Sequence, residues 1–184
     1  DKGVQAILLV EDSVRFYSTY LPELYKLILK QSSEFLKETL NEQQRKFRKR
    51  SRPKILLATN LDDALQMYTR YRNNLLGVIS DVGFTVHKGD SADMEKLDAG
   101  IDLVKHIKAD NEKLAILLQS SQDSISAVAK ELGVGFLRKY SKTLMLQLSD
   151  FIKEEFGFGD FVFRDANHVE YGRVANLKEL EAFI

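Results

Sequence analysis

Short apolar segments alternate along the chain with longer segments in which apolar residues recur every three or four positions. The short segments are rich in Val, Ile and Leu and end in polar residues, which is typical of buried parallel strands. Five strands are predicted in this way, at Ala6–Val10, Lys54–Thr59, Leu75–Ser80, Leu114–Leu118 and Gly135–Arg138.

A helix is predicted after each strand, within residues 14–50, 61–72, 99–109, 123–132 and 141–155. Asn60, with Asp63 three residues later, indicates a helix N-cap, and Gly133 indicates a helix end. Pro22 lies inside the first helical segment, where we expect a kink or a restart. Because one unbroken helix of about 35 residues is unusual in a compact domain, we expect a protruding helix or a helical hairpin there.

Five strands alternating with five helices predict an α/β fold, in which a parallel sheet carries helices on both faces. Ligands of such folds bind beyond the carboxyl ends of the strands. Polar side chains follow four of the predicted strands at that edge. They are Glu11 and Asp12, Asp81, Ser120 and Lys139. We therefore expect one site to contain all of them.

Composition narrows the chemistry open to this site. The 184 residues include 27 basic and 27 acidic side chains, and the zero net charge argues against a general nucleic-acid binder. The absence of Cys excludes disulfides, thiol catalysis and Cys-bound zinc. No apolar run approaches the roughly 18 residues of a membrane span.

Clustered carboxylates point to a hard divalent cation, because they repel one another unless a cation screens them. Mg²⁺ suits such a site, since it prefers oxygen ligands and keeps several waters. An Asp carboxylate can attack a phosphoryl group to give an aspartyl phosphate, while Mg²⁺ and a Lys neutralise the phosphoryl oxygens. A Ser hydroxyl could hydrogen-bond one of those oxygens and so sense the phosphate.

Four stretches, AILLVED, LLGVISD, AILLQSS and GFLRK, carry a resemblance to a known family. In this order they resemble the CheY-like receiver domains of bacterial response regulators, over about residues 4–155. The resemblance implies a flavodoxin-like three-layer α/β/α fold with sheet order 2-1-3-4-5. It also implies a receiver domain at 1–155 with an insertion at about 30–52, a cytoplasmic location and no enzyme activity of its own.

The resemblance implies a role for each residue of the acidic site. Asp81 would be the phosphoacceptor. Asp12, with its acidic partner Glu11, would bind Mg²⁺ together with Asp81 and the backbone carbonyl of Gly83. Lys139 would contact the phosphoryl group.

A switch and its partners also follow from the resemblance. Ser120 takes the position of the switch hydroxyl, and Phe136 takes that of the switch aromatic. Phosphorylation would move both and remodel the face formed by the fourth helix, the fifth strand and the fifth helix. The donor would be a histidine kinase or a histidine phosphotransfer protein.

The chain departs from the family pattern at several places. The connection from Asp12 to the second strand is about twenty residues longer than usual, and the loop after Asp81 is about ten residues longer. Thr85 stands where proline is common. Tyr140 replaces the proline that usually follows the lysine, so a cis peptide bond is not expected there. These departures bear on partner choice and switching more than on the acidic site.

Two other functions stay open from the residues alone. A phosphorylation-independent pseudo-receiver would use the same fold as a protein-interaction or dimerisation module. A phosphatase or phosphotransferase with an aspartyl-phosphate intermediate needs a second carboxylate two residues after the nucleophile, where Gly83 stands. The seven basic side chains at 45–54 suit a solvated helix face, an interface with another chain, or an anionic lipid or nucleic acid.

Residues 156–184 do not follow the alternating pattern. Strands at Asp160–Arg164 and Val169–Tyr171 predict a β-hairpin, and Asn176 with Glu179 indicates the cap of a final helix. The segments FGFGDFVFRD and LKELEAFI resemble the region after the receiver-like part of large bacterial proteins with a phosphoenolpyruvate-synthase-type domain. Since the chain also starts at Asp1 rather than Met, we expect an N-terminal regulatory region with a fused C-terminal output domain.

Overall fold

The computed structural model describes residues 4–37, 53–156, 161–164, 170–174 and 182. The strands are β1 (Ala6–Val10), β2 (Lys54–Ala58), β3 (Leu75–Asp81), β4 (Ala115–Ser120), β5 (Gly135–Arg138), β6 (Phe161–Arg164) and β7 (Glu170–Val174). The α-helices are α1 (Val14–Lys37), α2 (Leu61–Tyr71), α3 (Ala99–Asp110), α4 (Ile125–Glu131) and α5 (Leu144–Glu154).

The first five strands form one parallel sheet in the order β2-β1-β3-β4-β5. This order confirms the predicted flavodoxin-like α/β fold. The register pairs Asp81 with Gln119, and it pairs Ser120 with Arg138. The carboxyl ends of β3, β4 and β5 are therefore nearly level, so the residues that follow them meet at one edge of the sheet.

Both faces of the sheet are covered by apolar side chains, as alternation along a strand requires. In β1, Ile7 and Leu9 pack towards α1 and α5, whereas Leu8 and Val10 pack towards α2 and α3. All five residues of β1 are buried, which explains why that strand consists of apolar residues without interruption.

We expected a kink or a restart at Pro22, and helix α1 runs through this residue without a restart. Its buried face repeats every four residues, at Phe16, Tyr20, Leu24 and Ile28. Pro22 lies on the exposed side of the helix, where water can satisfy the carbonyl group that lacks its usual N–H partner. The rest of the predicted first helical segment, after residue 37, and the basic residues at 45–52 lie outside the described residues.

The local signals for helix ends are confirmed. Asn60 Oδ1 accepts a hydrogen bond from Asp63 N at 2.8 Å and so caps α2. Gly133, with a φ of 65°, follows α4 in the left-handed conformation that glycine favours. Among the described helices, none is long and apolar enough to cross a membrane.

Three predicted boundaries in the alternating part of the chain were wrong by two or three residues. Helix α4 begins at Ile125 rather than at 123. Strand β4 continues through Gln119 and Ser120, because the parallel ladder with β3 and β5 extends to these polar residues. Helix α5 begins at Leu144 rather than near 141. Ser141 and Thr143 form a turn before it, in which Ser141 Oγ accepts a hydrogen bond from Thr143 N at 3.3 Å.

The segment after α5 packs against the sheet and leads into a hairpin. Phe156 is fully buried, and its ring lies against Gly77 of β3. Strands β6 and β7 pair antiparallel, as the predicted hairpin requires, although the second strand spans Glu170–Val174 rather than Val169–Tyr171. Arg173 Nη1 donates to Phe156 O at 3.2 Å. The predicted turn and the cap of the final helix lie outside the described residues.

Candidate functional site

Three carboxylates meet at the carboxyl edge of the sheet. Glu11 and Asp12 directly follow β1, and Asp81 is the last residue of the neighbouring strand β3. One oxygen from each carboxylate lies within 4.8 Å of the other two. The structure thus brings these three predicted site residues together, at a separation where like charges repel unless a cation is near.

Lys139 supplies a positive charge to this cluster. It follows β5, and its Nζ lies 2.6 Å from Glu11 Oε2 and also pairs with Asp81 Oδ2. The backbone N–H of Lys139 donates to Ser120 O at 2.9 Å. Its ammonium lies 4.4 Å from the centroid of the Phe16 ring, a cation–π contact. The lysine is therefore held in place by both its backbone and its side chain.

Burial and neighbouring charges shift the pKa values of Glu11 and Lys139. Burial, followed by the negative charge of Asp81, raises the pKa of Glu11 to about 7, although Lys139 opposes the shift. Burial alone would lower the pKa of Lys139, but the charges and hydrogen bonds of Asp81 and Glu11 raise it. Lys139 is therefore a permanent cation, whereas Glu11 exchanges its proton near neutral pH.

Thr85 explains one departure from the family pattern. Its backbone N–H donates to Asp12 Oδ2 at 3.3 Å, a bond that proline cannot make. Burial raises the pKa of Asp12, and the Thr85 hydrogen bond acts in the opposite direction. Thr85 O also accepts from Leu61 N at 3.0 Å, which ties the loop after β3 to the start of α2.

The backbone around Asp81 is closely packed. Asp81 Oδ1 accepts from Val82 N at 2.7 Å, and Ser80 Oγ donates to Asp81 O at 2.7 Å. The first turn of α3 approaches from the side, where Gly100 N donates to Val82 O at 2.8 Å. A Cβ on Gly100 would clash with Asp81 O, so only glycine permits this approach. The Asp81 carboxylate is thus oriented by Val82 N and Lys139, while the contacts of Ser80 and Gly100 hold the backbone around it.

The two predicted switch residues lie in different surroundings. Ser120 is buried at the end of β4, and its Oγ accepts from Gln122 N at 3.1 Å. Phe136 of β5 is half-buried against the apolar core on the α2 and α3 side of the sheet. The structure therefore places Ser120 beside the loop that carries Lys139, and it places Phe136 among apolar neighbours.

Glu95 is a neighbour of the site that the sequence did not indicate. Gly83, whose carbonyl was predicted to bind Mg²⁺, lies so close to it that a Cβ on Gly83 would clash with Glu95 Oε1. The Glu95 side chain is exposed, but partial desolvation by the surrounding protein, followed by the charges of Asp12 and Asp81, raises its pKa. In the sequence, Glu95 is one of several acidic residues in a polar loop, and nothing in that pattern distinguishes it.

A second pair missed from the sequence links α1 to β4. Gln119 Nε2 donates to Tyr20 OH at 2.5 Å, and both side chains are buried. Gln119 directly precedes Ser120, so this bond joins the first helix to the strand end at the site. Each residue alone resembles an ordinary polar or core position, and only the fold brings the two together.

Comparison with known proteins identifies structural neighbours only. No protein-family model and no curated protein matches the chain. A response regulator receiver domain from Clostridium thermocellum is 19% identical, covers 83% of this chain and 94% of its own, and has a TM-score of 0.53. A receiver protein from Sinorhizobium medicae is 12% identical, with 86% and 98% covered and a TM-score of 0.56.

A third solved structure was determined with ligands. The response regulator TrrA from Thermotoga maritima, in complex with Mg²⁺ and BeF, is 16% identical to this chain, with 82% and 98% covered and a TM-score of 0.52. The structural neighbours of this chain are thus response regulator receiver domains, and the likeness shows that they share its flavodoxin-like fold.

Proposed function

We propose that this chain is a phosphoacceptor receiver module of two-component signalling, in which Asp81 takes up a phosphoryl group in the presence of Mg²⁺. One observation carries the proposal. Three carboxylates from two neighbouring strand ends lie within 4.8 Å of one another, and Lys139 pairs with two of them. The fold shared with receiver domains supports it.

The residues present fit Mg²⁺. Every candidate ligand is an oxygen atom. Burial and then the charge of Asp81 raise the pKa of Glu11, and a divalent cation would offset the repulsion between these two carboxylates. Asp12, Asp81 and Glu11 would hold the ion together with the carbonyl of Gly83. When bound, Mg²⁺ would neutralise charge on the phosphoryl oxygens during transfer.

The protein residues would carry out the transfer as follows. The Asp81 carboxylate, oriented by Val82 N, attacks the phosphorus of a phosphohistidine. A P–O bond to Asp81 forms while the P–N bond breaks, and its electron pair leaves with the imidazole. Lys139 keeps its proton and pairs with a phosphoryl oxygen, which compensates the added negative charge.

Ser120 and Phe136 would respond to the phosphoryl group. The Ser120 oxygen accepts from Gln122 N, and its hydroxyl hydrogen can donate to a phosphoryl oxygen on Asp81. Movement of Ser120 would change the packing of Phe136 on the neighbouring strand β5. The altered surface would be that of α4, β5 and α5.

The partners and the location follow from the same proposal. The donor would be a histidine kinase or a histidine phosphotransfer protein, and the module would work in the cytoplasm. Residues 1–155 would form the receiver domain, with the insertion at about 30–52, and 156–184 would lead to a C-terminal output domain of the phosphoenolpyruvate-synthase type. A homodimer through the long first helix is compatible with this arrangement.

A pseudo-receiver that binds partners without phosphorylation is the second candidate. It is favoured by the hydrogen bond between Gln122 N and Ser120 Oγ, because a serine that only caps a strand end makes the same contact. Calorimetric titration with Mg²⁺ and beryllofluoride separates the two functions. Binding supports the phosphoacceptor, whereas the pseudo-receiver predicts no heat of binding.

Phosphorylation itself is tested with a small donor. The chain is incubated with acetyl phosphate and Mg²⁺, and phosphate uptake is measured by intact-protein mass spectrometry. Asp81→Asn is expected to abolish uptake. Asp150→Asn is the matched control, because it changes an exposed carboxylate on α5 and is expected to leave uptake unchanged. Undiminished uptake by Asp81→Asn would contradict the assignment of the acceptor.

A further inference from the structure

The longer loop between β3 and α3 carries a carboxylate to the proposed metal site. A Cβ on Gly83 would clash with Oε1 of Glu95 and would lie 3.5 Å from its Cδ. The Glu95 carboxylate therefore occupies the space that any side chain at position 83 would need. Gly83 is also the residue whose carbonyl is a proposed Mg²⁺ ligand, so this space borders the ion.

Backbone hydrogen bonds hold Glu95 in this place. The next residue, Lys96, pairs with Phe84 in an antiparallel bridge, with Phe84 N to Lys96 O at 3.2 Å and Lys96 N to Phe84 O at 3.1 Å. Phe84 is fully buried, and the Lys96 ammonium pairs with Asp102 on α3. The backbone at Glu95 is thus positioned by a bridge to a core residue, and its exposed side chain extends from there to Gly83.

We propose that Glu95 is an outer ligand of the Mg²⁺ site, which accepts hydrogen bonds from water molecules on the ion and strengthens its binding. Within the part of the chain that the structure describes, the carboxylates with oxygens within 4.8 Å of one another are those of Glu11, Asp12 and Asp81, so Glu95 lies beyond direct coordination in this arrangement. Mg²⁺ keeps several waters, which need acceptors. The inference rests on the proposed function, and it gives the longer loop a role in metal affinity.

Charge supports the same role. At pH 8, above the raised pKa of Glu11, the side chains of Glu11, Asp12 and Asp81 carry up to three negative charges against the one positive charge of Lys139. Glu95 adds a further negative charge that acts on the same space, since the carboxylates of Asp12 and Asp81 are close enough to affect its ionisation. A divalent cation gains twice as much as a monovalent one from each added charge, so the effect should be measurable as affinity.

The test measures Mg²⁺ affinity of the full chain by isothermal titration calorimetry at pH 8, without a phosphodonor. Glu95→Gln keeps the size of the side chain and removes its charge, and it is expected to weaken Mg²⁺ binding by roughly 3- to 10-fold. Asp93→Asn is the matched control. It removes an equal charge from the same loop, and the pKa of Asp93 is set by Ser91 rather than by the site.

Gly83 provides an independent variant. Gly83→Ala should push the carboxylate away and weaken Mg²⁺ binding about as much as Glu95→Ala does. In the double variant Gly83→Ala/Glu95→Ala, Mg²⁺ binding should be no weaker than in Glu95→Ala alone, because the carboxylate that the alanine methyl group would displace is already absent. This non-additivity separates displacement of Glu95 from damage to the Gly83 carbonyl.

The outcomes distinguish the inference from the function it rests on. If the wild-type chain binds Mg²⁺ and Glu95→Gln binds it equally well, or only as weakly as Asp93→Asn, the role of Glu95 is wrong and the phosphoacceptor proposal is untouched. If the wild-type chain binds no Mg²⁺, both proposals are overturned. Equal urea unfolding midpoints for the wild-type chain, Glu95→Gln and Asp93→Asn would show that the proteins compared for Mg²⁺ affinity are equally stable.

Discussion

Lys139 Nζ lies 2.6 Å from Glu11 Oε2, and the two side chains are only 8% and 1% exposed. Glu11 Oε1 also accepts from Ser13 N at 3.1 Å, so both of its oxygens have partners. A buried ion pair stabilises a fold little compared with apolar residues of the same size. Removal of one partner is costly, however, because it leaves the other charge buried and unpaired.

Lys139→Met is therefore expected to lower the free energy of unfolding at pH 8 by about 3–5 kcal/mol. Lys139 pairs with both Glu11 and Asp81, and Glu11 is the more deeply buried of the two, so the double variant Glu11→Gln/Lys139→Met should recover a substantial part of the loss. Urea unfolding of the wild-type chain, the two single variants and the double variant gives the coupling energy between Glu11 and Lys139 directly. Purely additive losses would show that Lys139 stabilises the fold through its other contacts, those with Asp81 and Phe16.

Glu11 should also make stability depend on pH. Its pKa is raised from 4.5 to about 7 by burial and by Asp81, so the folded state binds more protons than the unfolded state between these values. Its contribution to the free energy of unfolding is then fully present below pH 4.5 and is lost as pH rises through 7. Urea unfolding from pH 4.5 to 8 without Mg²⁺ measures how the free energy of unfolding falls as pH rises. In Glu11→Gln this decrease should be smaller.

The same proton competes with Mg²⁺. Since the ion binds the ionised carboxylate, Mg²⁺ affinity should rise as pH increases through about 7 and change little above it. Calorimetric titrations across this range test the point. An affinity that is constant from pH 6 to 8 would show that Glu11 is already ionised at pH 6, or that it takes no part in binding.

Gly77 tests the packing of the segment after α5. A Cβ at this position would clash with the ring of Phe156 and lie 2.7 Å from its Cζ. Gly77→Ala is expected to lower the free energy of unfolding by about 1–3 kcal/mol through overpacking. Adding Phe156→Leu should offset part of this loss, because the smaller side chain leaves room for the methyl group. If Phe156→Leu brings no recovery, the ring does not press on Gly77 in solution.

The acidic site could be predicted because its residues belong to a regular pattern. Asp12 closely follows β1, Asp81 is the last residue of β3 and Lys139 directly follows β5. Parallel strands with crossover helices bring such residues to one edge. The contact between Gly83 and Glu95 follows no such rule. It depends on a single bridge between two irregular segments, and local sequence does not encode which loop residues pair.

Polar residues inside regular elements caused the other differences. Gln119 and Ser120 were expected to end β4 because they are polar, but the ladders of β3 and β5 continue to them, and Tyr20 satisfies the Gln119 amide. A sequence pattern reports the polarity of a side chain and not the partner that makes its burial possible. The start of α5 was wrong for a similar reason, since the turn at Ser141 forms through side-chain hydrogen bonds.

Tyr140 stands where the family usually has proline, and its conformation gives a physical reason. Its φ is 63°, in the left-handed region, whereas proline is restricted to a φ near −65°. Tyr140→Pro must therefore move the backbone directly after Lys139. It is expected to lower the free energy of unfolding by more than about 1 kcal/mol and to slow phosphate uptake from acetyl phosphate.

Tyr140→Gly is the control, because glycine adopts the same φ without strain. It should relieve about 1–2 kcal/mol of left-handed strain and lose about 0.5–1.5 kcal/mol from the edge contact between the Tyr140 and Phe16 rings, whose centroids are 5.7 Å apart. Its stability and its uptake rate should therefore stay close to those of the wild-type chain. Wild-type stability and uptake in Tyr140→Pro would instead show that Lys139 keeps its position whatever the conformation of the residue after it.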